Sequence, residues 1–351
     1  MSPFLHPAAF ALAFAAAVPA SCLACATCGC SLSTDAATGF STATGWRVSL
    51  QFDDIDQNQL RHGNHPISAA QVAAINNAGG DQEVEHDTVN RTFTFALSYS
   101  PDEDWNAKLF VPYVDRGHST FAAASNPISG ADASGASIKG LGDIRVVGTF
   151  QGLLPAKSLG LQFGVKLPSG HYGGPNADGS GVTGRHPAAF HSGPLAQNAS
   201  PGNLVDTSLQ AGTGSTDLIV GAFYHRPVAG DVDAFVNGQF QFAIAERLHQ
   251  AGADFRPGNT ATLSFGARYK ANPDVAPQLQ VNLYHKGADQ GALADNPDSA
   301  GTVAYLSPGL TFSVASNVQA FGFAQLPVFS HLVGYQLAPR WTGSAGVSMA
   351  F

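Results

Sequence analysis

Residues 92–99 read TFTFALSY, in which Phe93, Phe95, Leu97 and Tyr99 alternate with Thr92, Thr94, Ala96 and Ser98. Successive side chains of a β-strand point to opposite faces, so this stretch has one greasy face and one small or wet face. The same period of two recurs downstream. Leu159, Leu161, Phe163 and Val165 oppose Gln162, Gly164 and Lys166. Val232, Ala234, Val236, Phe240 and Phe242 oppose Asp233, Asn237, Gln239 and Gln241, and Leu279, Val281 and Leu283 oppose Gln278, Gln280 and Asn282. About twelve such segments follow one another from residue 44 onward, near 45–54, 87–99, 104–115, 140–152, 157–168, 215–226, 231–245, 259–271, 274–286, 301–314, 317–329 and 335–351. Several exceed ordinary soluble strands and match the ~9–11 residues, plus rim extension, of a tilted membrane strand. In 303–314 and 318–329 both alternating sets carry apolar residues, and no face can be assigned.

Composition points the same way. Charged residues make up 12% of the 351, against roughly 25% in soluble domains. Gly (39) and Phe (23) are abundant, and the formal charge of −8 argues against a nucleic-acid partner. Mean hydropathy is near zero, and beyond the N-terminus no apolar run approaches the ~20 residues of a spanning helix. A closed cylinder of strands, wet inside and greasy outside, satisfies all of these.

Phe10–Val18 (FALAFAAAV) ended by Pro19 reads as the apolar core of an export signal. Small-x-small cleavage sites follow Ala20 and Ala26, and the second sets the expected boundaries: signal peptide 1–26, a Cys-containing periplasmic segment 27–43, and an outer-membrane barrel over 44–351. The connections alternate. Those near 55–86, 116–139, 169–214, 246–258 and 287–300 are long and polar; those near 100–103, 153–156, 227–230, 272–273 and 315–316 are short and carry turn residues such as Pro101-Asp102 and Asn272-Pro273. Outer-membrane barrels have short periplasmic turns and longer external loops. The long stretch from His171 either folds over or into the pore or lies on the surface. The chain ends WTGSAGVSMAF, with Trp341, Ala345, Val347, Met349 and Phe351 on one face. A strand ending in Phe resembles the signal read by the barrel assembly machinery. The expected fold is therefore all-β: a transmembrane antiparallel up-and-down β-barrel of about twelve strands, multi-pass in the outer membrane among its lipids. An even strand number places both termini in the periplasm.

Gly140-Leu141-Gly142-Asp143-Ile144-Arg145-Val146, the stretch Gly160–Gly170 (GLQFGVKLPSG), and a weaker echo at Gly214–Gly221 (GSTDLIVG) carry a family likeness. They resemble the outer-membrane channels of the MetA-pathway-of-phenol-degradation type, and the Cys-rich start before SLSTD resembles uncharacterised proteobacterial barrels. The resemblance implies a barrel and a transport role without fixing a substrate. The chain is too short for the plugged barrel of about 22 strands that a TonB-dependent receptor needs.

With the aromatic faces turned to lipid, the opposite faces line a lumen. Lys108, Arg145, Lys166, Asp217, Asp233, Gln239, Gln241, Arg268, Lys270, Gln280, Lys286 and Arg340 fall there. Basic groups outnumber acidic ones, which favours anions in a wet passage; mutual pairing that plugs the lumen is the other reading. Phe223 and Phe235 fall on the same inner face and give it an apolar portion. The expected function is passive or facilitated movement of a small solute, anionic or aromatic, through the outer membrane. The alternative is a barrel for metal capture through His62 and His65 (H-x-x-H), or for redox partnering through Cys28 and Cys30, which disulfide or thiolate chemistry would serve. An enzyme is not expected: G-x-S-x-G, P-loop and H-E-x-x-H motifs are all missing. No cofactor is expected either.

Overall fold

The computed structural model describes residues 40, 43–122, 133–172, 184–187, 189–196 and 205–351. The export signal and Cys28 and Cys30 lie outside these residues. The elements are β1 (Gly45–Gly63), β2 (His65–Pro66), α1 (Ala69–Asn77), β3 (Val84–Ser100), β4 (Trp105–Ala122), β5 (Ser134–Leu141), β6 (Arg145–Phe150), β7 (Leu159–Lys166), β8 (Thr216–Ala229), β9 (Val232–Ala245), β10 (Thr260–Tyr269), β11 (Val275–Lys286), β12 (Gly301–Ala315) and β13 (Val318–Ala350).

Eleven of these strands pair antiparallel in a closed ring, with β2 and β5 off the path and β13 returning to β1. Arg47 lies opposite Ala350 and Leu50 opposite Val347. Trp46 and the terminal Phe351 exchange two backbone hydrogen bonds of 3.0 Å. The 33-residue β13 is a hairpin in disguise. Val318 pairs with Ala315 at one end of β12, Leu332 with Gly301 at the other, and Ala350 returns to Arg47. The chain reverses at Gly334, whose φ of +65° suits glycine, and Asn317 and Ala350 are bonded where the two halves meet again. Counting β13 twice, the ring makes twelve passes. β5 and β6 are two halves of one pass, both laid along β4.

Lipid and lumen sort the side chains by the two-residue period. Phe93, Phe95, Phe163, Phe265, Leu279 and Trp341 are exposed on the outside, while Ser98, Gln162, Gln278, Gln280 and Ser344 are buried within. Along β4 the outward residues are aromatic or aliphatic from Trp105 to Tyr113, then become Asp115, Gly117 and Ser119. Trp105 to Tyr113 spans roughly 27 Å of strand, which a tilt of ~40° reduces to about 20 Å, near the ~25 Å apolar band of such barrels. Among the described residues no helix is long and apolar enough to cross a membrane.

Two expectations need correction. The stretches 55–86 and 116–139 are not simply loops: β1 runs on to Gly63, β4 to Ala122, β3 begins at Val84 and β5 at Ser134. Greasy alternation stops where lipid stops, but the hydrogen-bond ladder continues above it, with polar residues outside. The capped helix α1 also lies in this region, its Ser68–Gln71 capping box formed. In 303–314 and 318–329 the ambiguity arises because Tyr305, Phe321 and Phe323 face inward and are buried. The Phe323 ring lies flat over Gly309, where a Cβ would sit 2.1 Å from it.

The three stretches that carry the family likeness meet at one point. β5 and β6 part at Gly142–Ile144, which presents Asp143 inward. Its Oδ1 accepts from Gly170 N at 3.0 Å and its Oδ2 from Thr213 N at 2.9 Å. Lys166 Nζ donates to Asp143 Oδ2 at 2.9 Å and lies 3.3 Å from Asp217 Oδ2. Gly170 and Gly212 touch backbone to backbone; a Cβ on Gly170 would come within 2.8 Å of the Gly212 Cα. Asp143 thus clamps both ends of the long 167–215 connection to the wall.

Phe265→Arg, at mid-depth on the lipid face, should cost about 2–4 kcal/mol of folding free energy in lipid vesicles, whereas Gly117→Arg, above the aromatic band, should cost ~0–1 kcal/mol. Asp143→Ala should cost about 3 kcal/mol, because it leaves buried Lys166 with one of its two carboxylate partners and orphans the loop amides. Denaturant titrations of vesicle-folded protein measure all three.

Candidate functional site

The inner wall is a polar network. Gln51 donates to Asp53 at 3.0 Å, Ser344 to Asp53 at 2.6 Å, Gln239 to Gln162 at 2.9 Å and Asn282 to Gln325 at 2.9 Å. These bonds run within a strand, between adjacent strands, or across an intervening strand, and supply partners that buried polar groups require. The wall leaves three cavities in file. A central chamber of about 350 Å³ shares Asn106, Lys108 and Thr149 with a neck of about 50 Å³. The neck shares Phe40 and Arg47 with a vestibule of about 870 Å³ at the end of the barrel where Phe40 and Ala350 lie.

Phe40 forms part of the neck. Its ring stacks on Phe223 at 4.1 Å, lies 5.6 Å from His225 and meets Phe235 edge-on at 5.8 Å. The inward Phe223 and Phe235 are thus one side of an aromatic constriction. Phe40 lies in a segment without strand periodicity, so nothing in the pattern singled it out. The opposite end of the chamber is roofed by the long connection. Thr207, Ser208 and Thr213 line the chamber, and Val205 and Leu209 are buried against Ala136, Ile138 and Phe190. Arg116 Nη1 donates to the Leu209 carbonyl at 2.6 Å. The described parts of this loop therefore fold into the mouth.

Charged groups of both signs line the chamber. Asp217 is ion-paired with Lys166, and Asp289 with Lys286 at 2.8 Å. Lys108 and Arg145 lie over the Phe110 ring, 5.7 and 5.2 Å from its centroid, an arrangement that the ring quadrupole favours. Phe110 was not singled out from the sequence, because it occupies an inward position that the pattern assigned to polar groups.

The lumen candidates distribute as follows. Lys108, Arg145, Asp217, Gln239, Gln241 and Lys286 line the chamber. Lys166 and Gln280 are buried in the inner wall. Asp233, Arg268 and Lys270 line the vestibule, with Lys270 2.5 Å from Asp233. Arg340 is exposed and lines none of the described cavities: the register slips opposite Asp56 and Gln57, and this bulge breaks the alternation on which its inward assignment rested. His62 and His65 face each other across the β1–β2 register and are exposed. His62 bonds the Gly334 carbonyl at 2.9 Å and stacks on Tyr335, which gives it a structural partner at the β13 turn.

No protein-family model matches this chain, and no curated protein matches it. Solved structures do. The COG4313 outer membrane channel from Pseudomonas putida F1 superposes with a TM-score of 0.62 at 11% identity, covering 92% of this chain and 100% of that one. The translocator domain of the autotransporter NalP from Neisseria meningitidis gives 0.46 at 8% identity over 88% and 89%. The P. putida toluene transporter TodX gives 0.41 at 9% identity over 88% and 91%. These last two are too loose to argue from. The chain has the closed antiparallel barrel fold of the COG4313 outer membrane channel.

Proposed function

We propose that this protein is a passive or facilitated outer-membrane channel for small solutes, and that it prefers anions. The observation that carries the reading is that Lys108 and Arg145 lie together over the Phe110 ring on the chamber wall, where the lining acids Asp217 and Asp289 are held by Lys166 and Lys286. A passing anion meets two cationic groups and an aromatic face, while a passing cation meets carboxylates that are engaged. The aromatic neck of Phe40, Phe223 and Phe235 suits planar organic anions. We read the chain as a transporter rather than an enzyme, because these inner-wall groups bind and steer without forming a nucleophile–base pair.

On this reading the vestibule end, with its short connections, faces the periplasm, and both termini lie on that side. Residues 1–26 are removed on export, 27–43 remain as a periplasmic lead, and Phe351 is the residue offered to the assembly machinery.

In planar bilayers under a KCl gradient, the reversal potential should show anion preference. Two cations within ~6 Å of the path alter an ion's energy by about 1 kcal/mol or more at dielectric values between water and a protein surface. Lys108→Ala with Arg145→Ala should therefore lower the chloride-to-potassium permeability ratio roughly fivefold or more. Clear cation preference in the unaltered protein would sink the proposal. Phe40→Ala widens the neck and should raise single-channel conductance; an unchanged value would remove Phe40 from the path.

A further inference from the structure

Above the aromatic band, the barrel mouth holds a cluster that the transport reading does not use. The β3–β4 register slips at Val84/Glu85 and again at Glu85/Asp87. A bulge of this kind re-aims side chains, and it brings Glu83 and Glu85 together with His118 of β4. One ligand atom from each of the three lies within 4.8 Å of the others. His118 Nε2 is 2.9 Å from Glu83 Oε1, and its Nδ1 is 2.7 Å from the Thr88 hydroxyl. Thr88 thereby fixes the ring with Nε2 toward the carboxylates, as outer partners of metal-binding histidines do. The long loop adds His186 from the other side, Nδ1 3.3 Å from Glu83 Oε2.

One observation sets this cluster apart from an ordinary ion pair. Glu85 Oε2 is buried and has no hydrogen-bond partner. A buried carboxylate oxygen without a donor is costly unless the group is protonated or meets a cation. The surroundings deepen the shortage of positive charge. Asp206 is buried nearby, Asp295 lies 3.9 Å from His186, and Arg185 is engaged by Asp81 at 2.6 Å.

We propose that Glu83, Glu85, His118 and His186 bind one divalent transition-metal ion of the zinc class. Ligand atoms ~2.0–2.2 Å from a tetrahedral ion lie roughly 3.3 Å apart; Glu83, Glu85 and His118 already form the compact part of the site, with His118 Nε2 2.9 Å from Glu83 Oε1, and His186, 3.3 Å from the other Glu83 oxygen, is the fourth ligand that closes in from the loop. Two imidazoles with two carboxylates suit zinc better than magnesium or calcium, which favour all-oxygen sites. The ion takes the place of the proton between His118 and Glu83 and gives Glu85 Oε2 its missing partner. It also joins the barrel wall to the long loop, fastening the loop across the mouth. This site is independent of whichever solute the lumen passes.

The test is calorimetric titration of ZnCl₂ into the chelator-stripped, detergent-folded full chain, with Cys22, Cys25, Cys28 and Cys30 replaced by Ser and MgCl₂ as control. One Zn²⁺ per chain is expected, with proton release and no magnesium response. Glu85→Gln, which keeps the shape of a partly exposed residue, and His118→Gln should each weaken binding roughly tenfold or more. Both are compared at equal heat-modifiable mobility, the mark of a closed barrel, so that Glu85→Gln alone decides if His118→Gln fails to close. His62→Ala with His65→Ala should leave the affinity unchanged. Zinc binding that is not stoichiometric, that survives Glu85→Gln, or that disappears with His62 and His65 would overturn the assignment.

Discussion

Hydrocarbon offers no hydrogen-bond partners, so every backbone amide within it must find one in the chain itself. That constraint forces the last strand onto the first. The pairing of β13 with β1, sealed by the two bonds between Trp46 and Phe351, leaves no open edge in the ring. Once the ring is closed there is one outside and one inside, and the two-residue period of a strand must then deliver greasy and wet side chains alternately. The aromatic band and the polar inner network are both consequences of this closure.

Closure at twelve passes creates a lumen that the wall's own side chains do not fill. What divides it is the chain that folds into it. From one end the 167–215 connection enters the mouth and brings Thr207, Ser208 and Thr213 to the chamber, held by Arg116 and by the Asp143 clamp. From the other end Phe40 stacks on Phe223. The chamber between them keeps cations over Phe110 and acids in ion pairs. On the proposed reading, a few residues acting on a generic cylinder set what passes, and local electrostatics decides which sign of charge is welcome.

Above the lipid the rules relax. Water can satisfy an exposed amide, so β1, β3 and β4 extend there by mutual pairing rather than by necessity, with polar residues on both faces. This freedom permits bulges such as the one at Glu85, and it lets histidines and carboxylates from wall and loop gather at the mouth. The buried acids at the mouth are therefore a feature of the rim.

The sequence alone determined the barrel, its approximate strand number, the lipid-facing set and most of the inner set, because all of these follow from a period of two that lipid enforces locally, residue by residue. The two passes within β13 were legible as separate segments, 317–329 and 335–351, but the turn at Gly334 was not. What the pattern misplaced, it misplaced for a local reason. Arg340 lost its inward position to a one-residue slip, and Phe321 and Phe323 broke the alternation by lying over glycines of neighbouring strands. Only the tertiary structure decided which distant residues meet: Asp143 with Gly170 and Thr213, Phe40 with Phe223, Glu83 and Glu85 with His118 and His186. Those contacts depend on strand register and on the path of long loops. Neither leaves a periodic trace in the chain, because loop residues face no uniform solvent that would sort them.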